Sequence, residues 1–115
     1  LDRLDEAALW YARAIGAKPS FVGARIGLGR LYEKMDKPAL AEAVFREIPA
    51  ANPGYAFGGV SLALFLARRE QWDEAEQVFI DTWKKLPDML KDAAKSNPEA
   101  AELMKRDAVK AVVGA

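Results

Sequence analysis

A period of 34 residues is the feature that most constrains the fold of this 115-residue chain. A proline, an aromatic residue and an alanine each return at this interval. The three columns are Pro19, Pro53 and Pro87; Tyr11, Phe45 and Phe79; and Ala7, Ala41 and Ala75. Three of only six prolines therefore fall in register, which chance rarely produces. A fixed period of this length is typical of proteins that stack copies of one small structural unit.

Each period has room for two helices, because the residue before a proline is disfavoured in a helix and the proline column should follow helix ends. Apolar residues at spacings of three and four predict helices over 2–16, 21–35, 38–48, 55–69 and 72–85. Ser20 is expected to cap the second of these helices, and Pro49 is expected to end the third. The alanine column allows the helices of a pair to approach closely, and the aromatic column fills the space beside it.

Beyond Pro87 the period is lost. A short helix is expected over 88–95, and Asn97 and Pro98 then have the residue types that cap and open a further helix. That helix is predicted to run to the end of the chain and to cover the last repeat, because a repeat cannot bury its apolar face alone.

The periodic residues resemble the tetratricopeptide repeat, a helix-turn-helix unit of this length. Leu28, Gly29 and Tyr32 look like its first-helix signature, and 72–75 looks like its aromatic-Asp-Glu-Ala opening of a second helix. The triplet 5–7 repeats the end of that opening. At four positions the chain departs from the family pattern. Arg25 and Gly59 stand where a tryptophan is common, and Asp36 and Glu70 stand where a turn glycine is common.

The resemblance implies an all-α fold, a right-handed α-solenoid of antiparallel helix pairs that forms a single domain over 1–115. It would contain about two and a half repeats and a C-terminal capping helix. The parts are a half repeat over 1–20 with only its second helix, full repeats over 21–54 and 55–88, and C-terminal helices over 89–115. The half repeat lacks its first helix, so its apolar side chains should be exposed unless another chain or further repeats of a longer protein cover them. The residues of this stacking surface are Leu4, Ala8, Tyr11 and Ile15.

The residue inventory argues against catalysis. The chain has no cysteine and no histidine, which excludes a thiolate nucleophile and the usual general base. The acidic pairs Asp5–Glu6 and Asp73–Glu74 lie where helices are predicted to begin, and there they would complement the helix dipole. The glycines 23, 27 and 29 follow no strand and precede no Lys-Ser pair, so close helix packing explains them better than phosphate binding. We therefore expect no enzyme, no cofactor and no metal site.

Charge and hydropathy narrow the class of partner. The 17 basic and 17 acidic side chains cancel, so no net field attracts nucleic acid or an anionic membrane surface. The longest uncharged stretch, 48–67, contains two prolines and a glycine in its first half, which argues against membrane insertion. The remaining partner class is a protein or peptide, with a homo-oligomer as an alternative. No compartment is indicated, and the cytoplasm is the default expectation.

The resemblance also implies where a partner would bind, since first helices of successive repeats line a concave groove in this family. The expected partner-binding residues are Ile26, Arg30, Lys34, Phe57, Val60, Ser61, Leu64 and Arg68. Arg30 and Arg68 would either hold an acidic side chain or remain ordinary solvated arginines. Phe57 and Leu64 would either line the groove or be covered by the C-terminal helix. The competing function is a structural segment that stacks through its half repeat and binds no peptide.

Overall fold

The computed structural model describes residues 3–52, 55–85, 87–88, 90, 95 and 97–113, and every element with defined bounds among them is an α-helix. The predicted all-α class is confirmed. The chain divides into two compact units, Leu1–Gly54 and Tyr55–Ala115. Their boundary coincides with the repeat boundary that the 34-residue period predicts between residues 54 and 55.

The first unit contains three helices, α1 (Arg3–Ala17), α2 (Val22–Lys34) and α3 (Pro38–Ala51). The central helix α2 packs against both α1 and α3. The core of the unit lies between α2 and α3, whereas no residue of α1 is fully buried. The buried apolar side chains are Ala24, Leu28, Ala41, Val44, Phe45 and Ile48.

The second unit contains α4 (Ala56–Arg68), α5 (Trp72–Lys85), α6 (Pro98–Met104) and α7 (Asp107–Val113). Helices α4 and α5 form a pair, α6 packs against both of them, and α7 packs against α5 and α6. The completely buried side chains of this unit come from all four helices and from the segment between α5 and α6. The largest of them are Phe65, Leu66, Phe79, Leu90, Leu103 and Val109.

The 34-residue period is visible in the helix bounds. We call the pair α2 and α3 hairpin 1 and the pair α4 and α5 hairpin 2. The first helix of each hairpin has 13 residues and the second has 14, and all four bounds of hairpin 2 lie 34 positions after those of hairpin 1. The two hairpins therefore have matching helix lengths and matching turn lengths.

The turns of the two hairpins also share one hydrogen-bond pattern. In hairpin 1 the amide of Asp36 donates to the carbonyl of Glu33 (3.0 Å) and the amide of Lys37 donates to Tyr32 (2.9 Å). The equivalent bonds in hairpin 2 run from 70 to 67 and from 71 to 66, both 2.9 Å. This pair of bonds is a Schellman motif, which places one residue in the left-handed region. That residue is Asp36 in hairpin 1 (φ 58°) and Glu70 in hairpin 2 (φ 61°).

Glycine at these two turn positions is expected to stabilise the protein. Residues with a Cβ atom are penalised by about 1–2 kcal/mol in the left-handed region, and glycine is not. After the extra entropy that glycine loses on folding, Asp36→Gly and Glu70→Gly should each raise the free energy of unfolding by about 0.5–1 kcal/mol. Urea denaturation measures the change. Lys37→Gly is the matched control, because Lys37 has φ −121° and gains nothing from glycine. Equal shifts for Asp36→Gly and Lys37→Gly would contradict the assigned turn conformation.

Two predicted helix boundaries are wrong. Ser20 does not cap α2, because the amide of Phe21 donates to the carbonyl of Lys18 (2.9 Å) and the turn continues for one more residue. Pro49 does not end α3, which continues to Ala51. A proline removes one backbone donor, and near the end of a helix that loss is small. The amide of Asn52 still donates to the carbonyl of Ile48 (3.1 Å) across it.

The C-terminal helix is divided, whereas the sequence predicted one helix from Pro98 to the end. The amides of Lys105 and Arg106 donate to the carbonyls three residues earlier, at 3.2 and 3.1 Å, and these tight bonds close α6. The side chain of Arg106 then reaches two carboxylates of α5, and α7 starts at Asp107. The short helix predicted over 88–95 falls mostly on positions outside the described residues.

Candidate protein-interaction surface

Two glycines of α2 allow aromatic rings to lie against its backbone. A Cβ atom on Gly27 would stand 2.5 Å from Cε1 of Tyr11, and one on Gly29 would stand 2.7 Å from Cε2 of Phe45. These distances are shorter than any ordinary carbon contact. Tyr11 of α1 and Phe45 of α3 thus each pack against a glycine of α2. The close helix packing predicted for these glycines is confirmed at both positions.

This packing determines which face of α1 is open. The four residues predicted as the exposed stacking surface, Leu4, Ala8, Tyr11 and Ile15, are half-buried. Tyr11, at the centre of this set, lies against Gly27 of α2, so the predicted exposure is corrected. The large exposed side chains of α1 lie away from the Tyr11 contact at helical spacing. We call them the outer face of α1: Arg3, Glu6, Leu9, Trp10 and Arg13.

A groove of about 410 Å³ runs between α1 and α2. We call it the α1–α2 groove; its lining residues are Ala7, Tyr11, Gly27, Arg30, Leu31 and Lys34. Arg30 and Lys34 are exposed and lie one helical turn apart, and Ile26 lies one turn before Arg30 and is half-buried. The three partner-binding residues predicted on α2 therefore share one stripe of this helix, and two of them line the groove.

The corresponding stripe of α4 is not open. Val60 is 3% exposed and Leu64 is 8% exposed, so neither side chain is accessible to a partner in this structure. Ser61 and Arg68 are half-buried. Phe57 belongs to α4, but its side chain lies outside the described residues. Within the second unit α5 and α6 both pack against α4, in line with the alternative in which C-terminal residues cover this helix.

Two arginines form ion pairs with carboxylates of other helices. Arg25 stands at a position where the resembled family often has a tryptophan. Its Nε lies 3.5 Å from the carboxylate of Glu47 on α3, and its guanidinium also donates a hydrogen bond to the carbonyl of Pro19. Its side chain is only 12% exposed. Arg25 therefore joins α2 to α3 and to the turn before α2.

Arg106 connects the α6–α7 corner to the beginning of α5. It donates to Glu76 and to Asp73 (3.1 Å), and its guanidinium lies 6.0 Å from the centre of the Trp72 ring. The hydrogen bond with Glu76, together with the nearby charges of Glu76 and Asp73, raises the pKa of Arg106. The acidic pair Asp73–Glu74 lies in the first turn of α5, as predicted, and Asp73 is engaged in this structural contact.

Sequence reasoning missed the most exposed apolar side chains of the first unit. Trp10 is 75% exposed, Leu9 and Phe21 are 50% exposed, and Leu40 is 47% exposed. Trp10, Tyr11 and Phe21 line an apolar recess of about 290 Å³ with small residues between them. The repeat register gave no signal for the exposure of Trp10, because its equivalent in α3 is Val44, which is buried.

The chain matches no protein-family model, no curated protein and no solved structure. Among the described residues, no helix has both the length and the apolar character needed to cross a lipid bilayer.

Proposed function

We propose that the chain is a protein-interaction module of the tetratricopeptide type, and that its α1–α2 groove binds an acidic peptide or helix of another protein. The observation that carries this proposal is the pair of exposed cations, Arg30 and Lys34, one turn apart beside an apolar groove. The right-handed solenoid implied by the resemblance is part of the proposal. The matched helix bounds and turns of hairpins 1 and 2 support it.

The groove has the two features that peptide recognition requires. Ala7, Leu31 and the ring of Tyr11 offer apolar surface on which a ligand side chain can be buried. Arg30 and Lys34 beside them can bind a carboxylate, and the arginine can do so with two parallel hydrogen bonds. Because Gly27 fixes the Tyr11 ring against α2, the surface is formed before the ligand arrives, which reduces the entropy that binding costs.

The groove residues predicted on α4 are not part of the proposed binding surface. Val60 and Leu64 are buried and contribute to the stability of the second unit rather than to ligand contact. The binding surface is thereby limited to the first unit, where Ile26, Arg30 and Lys34 are accessible.

A peptide array that contains acidic-apolar sequences and neutral variants of the same sequences tests the groove. We expect selective binding of acidic-apolar peptides, and Arg30→Glu or Lys34→Glu should weaken it by about tenfold or more. Lys84→Glu on α5 is the matched control, since it makes the same change of net charge at an exposed position of the second unit. A loss of the same size in Lys84→Glu, or binding that ignores peptide charge, would show that the groove is not the site.

A further inference from the structure

The outer face of α1 has an apolar centre between opposite charges. Leu9 and Trp10 are 50% and 75% exposed, and they are adjacent in sequence. Glu6 lies about one turn before them and Arg13 about one turn after them, and both are exposed. An exposed tryptophan beside an exposed leucine is unusual on a free surface and typical of a contact with another protein.

Residues of α1 are less buried than the residues at the equivalent repeat positions of α3. The residues of α3 that lie 34 positions after Trp10, Tyr11 and Ala14 are Val44, Phe45 and Ile48, with exposures of 9%, 1% and 0%. Tyr11 and Ala14 are only half-buried, and Trp10 is largely exposed although its ring is larger than the valine at the equivalent position. Helix α1 therefore carries core-like side chains that the first unit leaves partly uncovered.

The charges of the outer face determine what can cover it. When two copies of α1 pair in antiparallel orientation about a two-fold axis between Leu9 and Trp10, residues whose numbers add up to 19 lie opposite each other. Glu6 then faces Arg13 of the second copy, and Leu9 faces Trp10 of the second copy, in each case twice by symmetry. In a parallel pair the like charges would face each other, which is unfavourable.

We propose that the outer face of α1 is the interface of a homodimer in which two α1 helices pair in antiparallel orientation. One helix from each copy buries less surface than the roughly 800 Å² per partner of a standard interface, so the dimer dissociates on dilution. Neither Leu9 nor Trp10 lines the α1–α2 groove, although each borders another recess beside α2. The dimer therefore goes beyond the peptide-binding proposal, and either can fail while the other holds.

Sedimentation velocity of the full chain, from micromolar to millimolar concentration, tests the dimer. We expect the wild type to shift from monomer to dimer over this range. Glu6→Arg and Arg13→Glu should each weaken self-association by about tenfold or more, because each creates two like-charged pairs. An equimolar mixture of the two variants should restore association as a heterodimer, and the double variant should associate like the wild type.

Further variants keep the test decisive. Trp10→Ala should weaken the dimer by about tenfold through the lost apolar centre, whereas Tyr55→Glu, at an exposed aromatic position of the second unit, should leave it unchanged. Circular dichroism confirms that each variant remains helical. A wild type that stays monomeric at every concentration, or a variant mixture that fails to associate, would overturn the proposal. So would a dimer that Tyr55→Glu abolishes or that Trp10→Ala leaves unchanged.

Discussion

Phe45→Ala is expected to lower the free energy of unfolding by about 3–5 kcal/mol, the range typical of a fully buried phenylalanine. The side chain of Phe45 is 1% exposed, and its ring lies against Gly29 of α2. Because glycine offers no side chain that could move into the vacated space, the cavity should remain open after the substitution. Urea denaturation followed by circular dichroism measures the loss.

Tyr11→Ala is the matched control, since Tyr11 occupies the same repeat position in α1 and also lies against a glycine. Tyr11 is only half-buried, so its loss should be roughly half as large, in proportion to the apolar area removed from water. If Phe45→Ala leaves too little folded protein to measure, Phe45→Leu gives a smaller cavity and preserves the comparison. Equal losses at the two positions would contradict the assignment of the core to hairpin 1.

Gly59→Ala should destabilise the protein by about 1–3 kcal/mol, although alanine favours helices by about 1 kcal/mol over glycine. A Cβ atom on Gly59 of α4 would overlap Oγ1 of Thr82 on α5. The threonine cannot easily turn away, because it is β-branched and its hydroxyl donates to the carbonyl of Val78 at 2.8 Å. The steric cost therefore outweighs the gain in helix propensity. Thermal or urea unfolding of the full chain measures the difference.

Gly16→Ala is the control for this prediction and should have the opposite sign. Apart from its chain neighbours and the backbone of its own helix, no atom lies within 4 Å of the place where a Cβ on Gly16 would stand, and Gly16 belongs to the last turn of α1. Helix propensity then acts alone, and stability should rise by up to about 1 kcal/mol. Adding Thr82→Ala to Gly59→Ala should recover part of the lost stability. If Gly59→Ala stabilises the protein as Gly16→Ala does, α4 and α5 do not approach each other closely at Gly59.

Much of the fold could be predicted, because the 34-residue period determines where the helices of hairpins 1 and 2 begin and end. The bounds of hairpins 1 and 2 agree with the predicted helices to within three residues. The turns at 35–37 and 69–71 each begin one residue earlier than predicted. The errors arose where tertiary contacts and local hydrogen bonds compete with residue preferences. Pro49 is tolerated inside α3, and the C-terminal helix breaks at Arg106, whose partners Asp73 and Glu76 lie about 30 positions earlier in the chain.

The surface was harder to predict than the helices, because burial depends on which element packs on which. The stripe of Ile26, Arg30 and Lys34 is accessible, whereas Val60 and Leu64, at equivalent positions of α4, are buried. Nothing in the period distinguishes the two stripes; the difference is that α4 is almost entirely apolar and polar residues interrupt α2. In α1 the longer apolar stripe faces α2, and the shorter one, Leu9 and Trp10, faces outward.

Chemical-shift mapping of the full, isotopically labelled chain with an acidic-apolar peptide selected on the array tests the central claim most directly. If the α1–α2 groove is the recognition site, the largest amide shifts will fall on Gly27, Arg30, Leu31 and Lys34, with smaller ones on Ala7 and Tyr11. Shifts centred on α5 or α7, with the groove amides unchanged, would contradict the account.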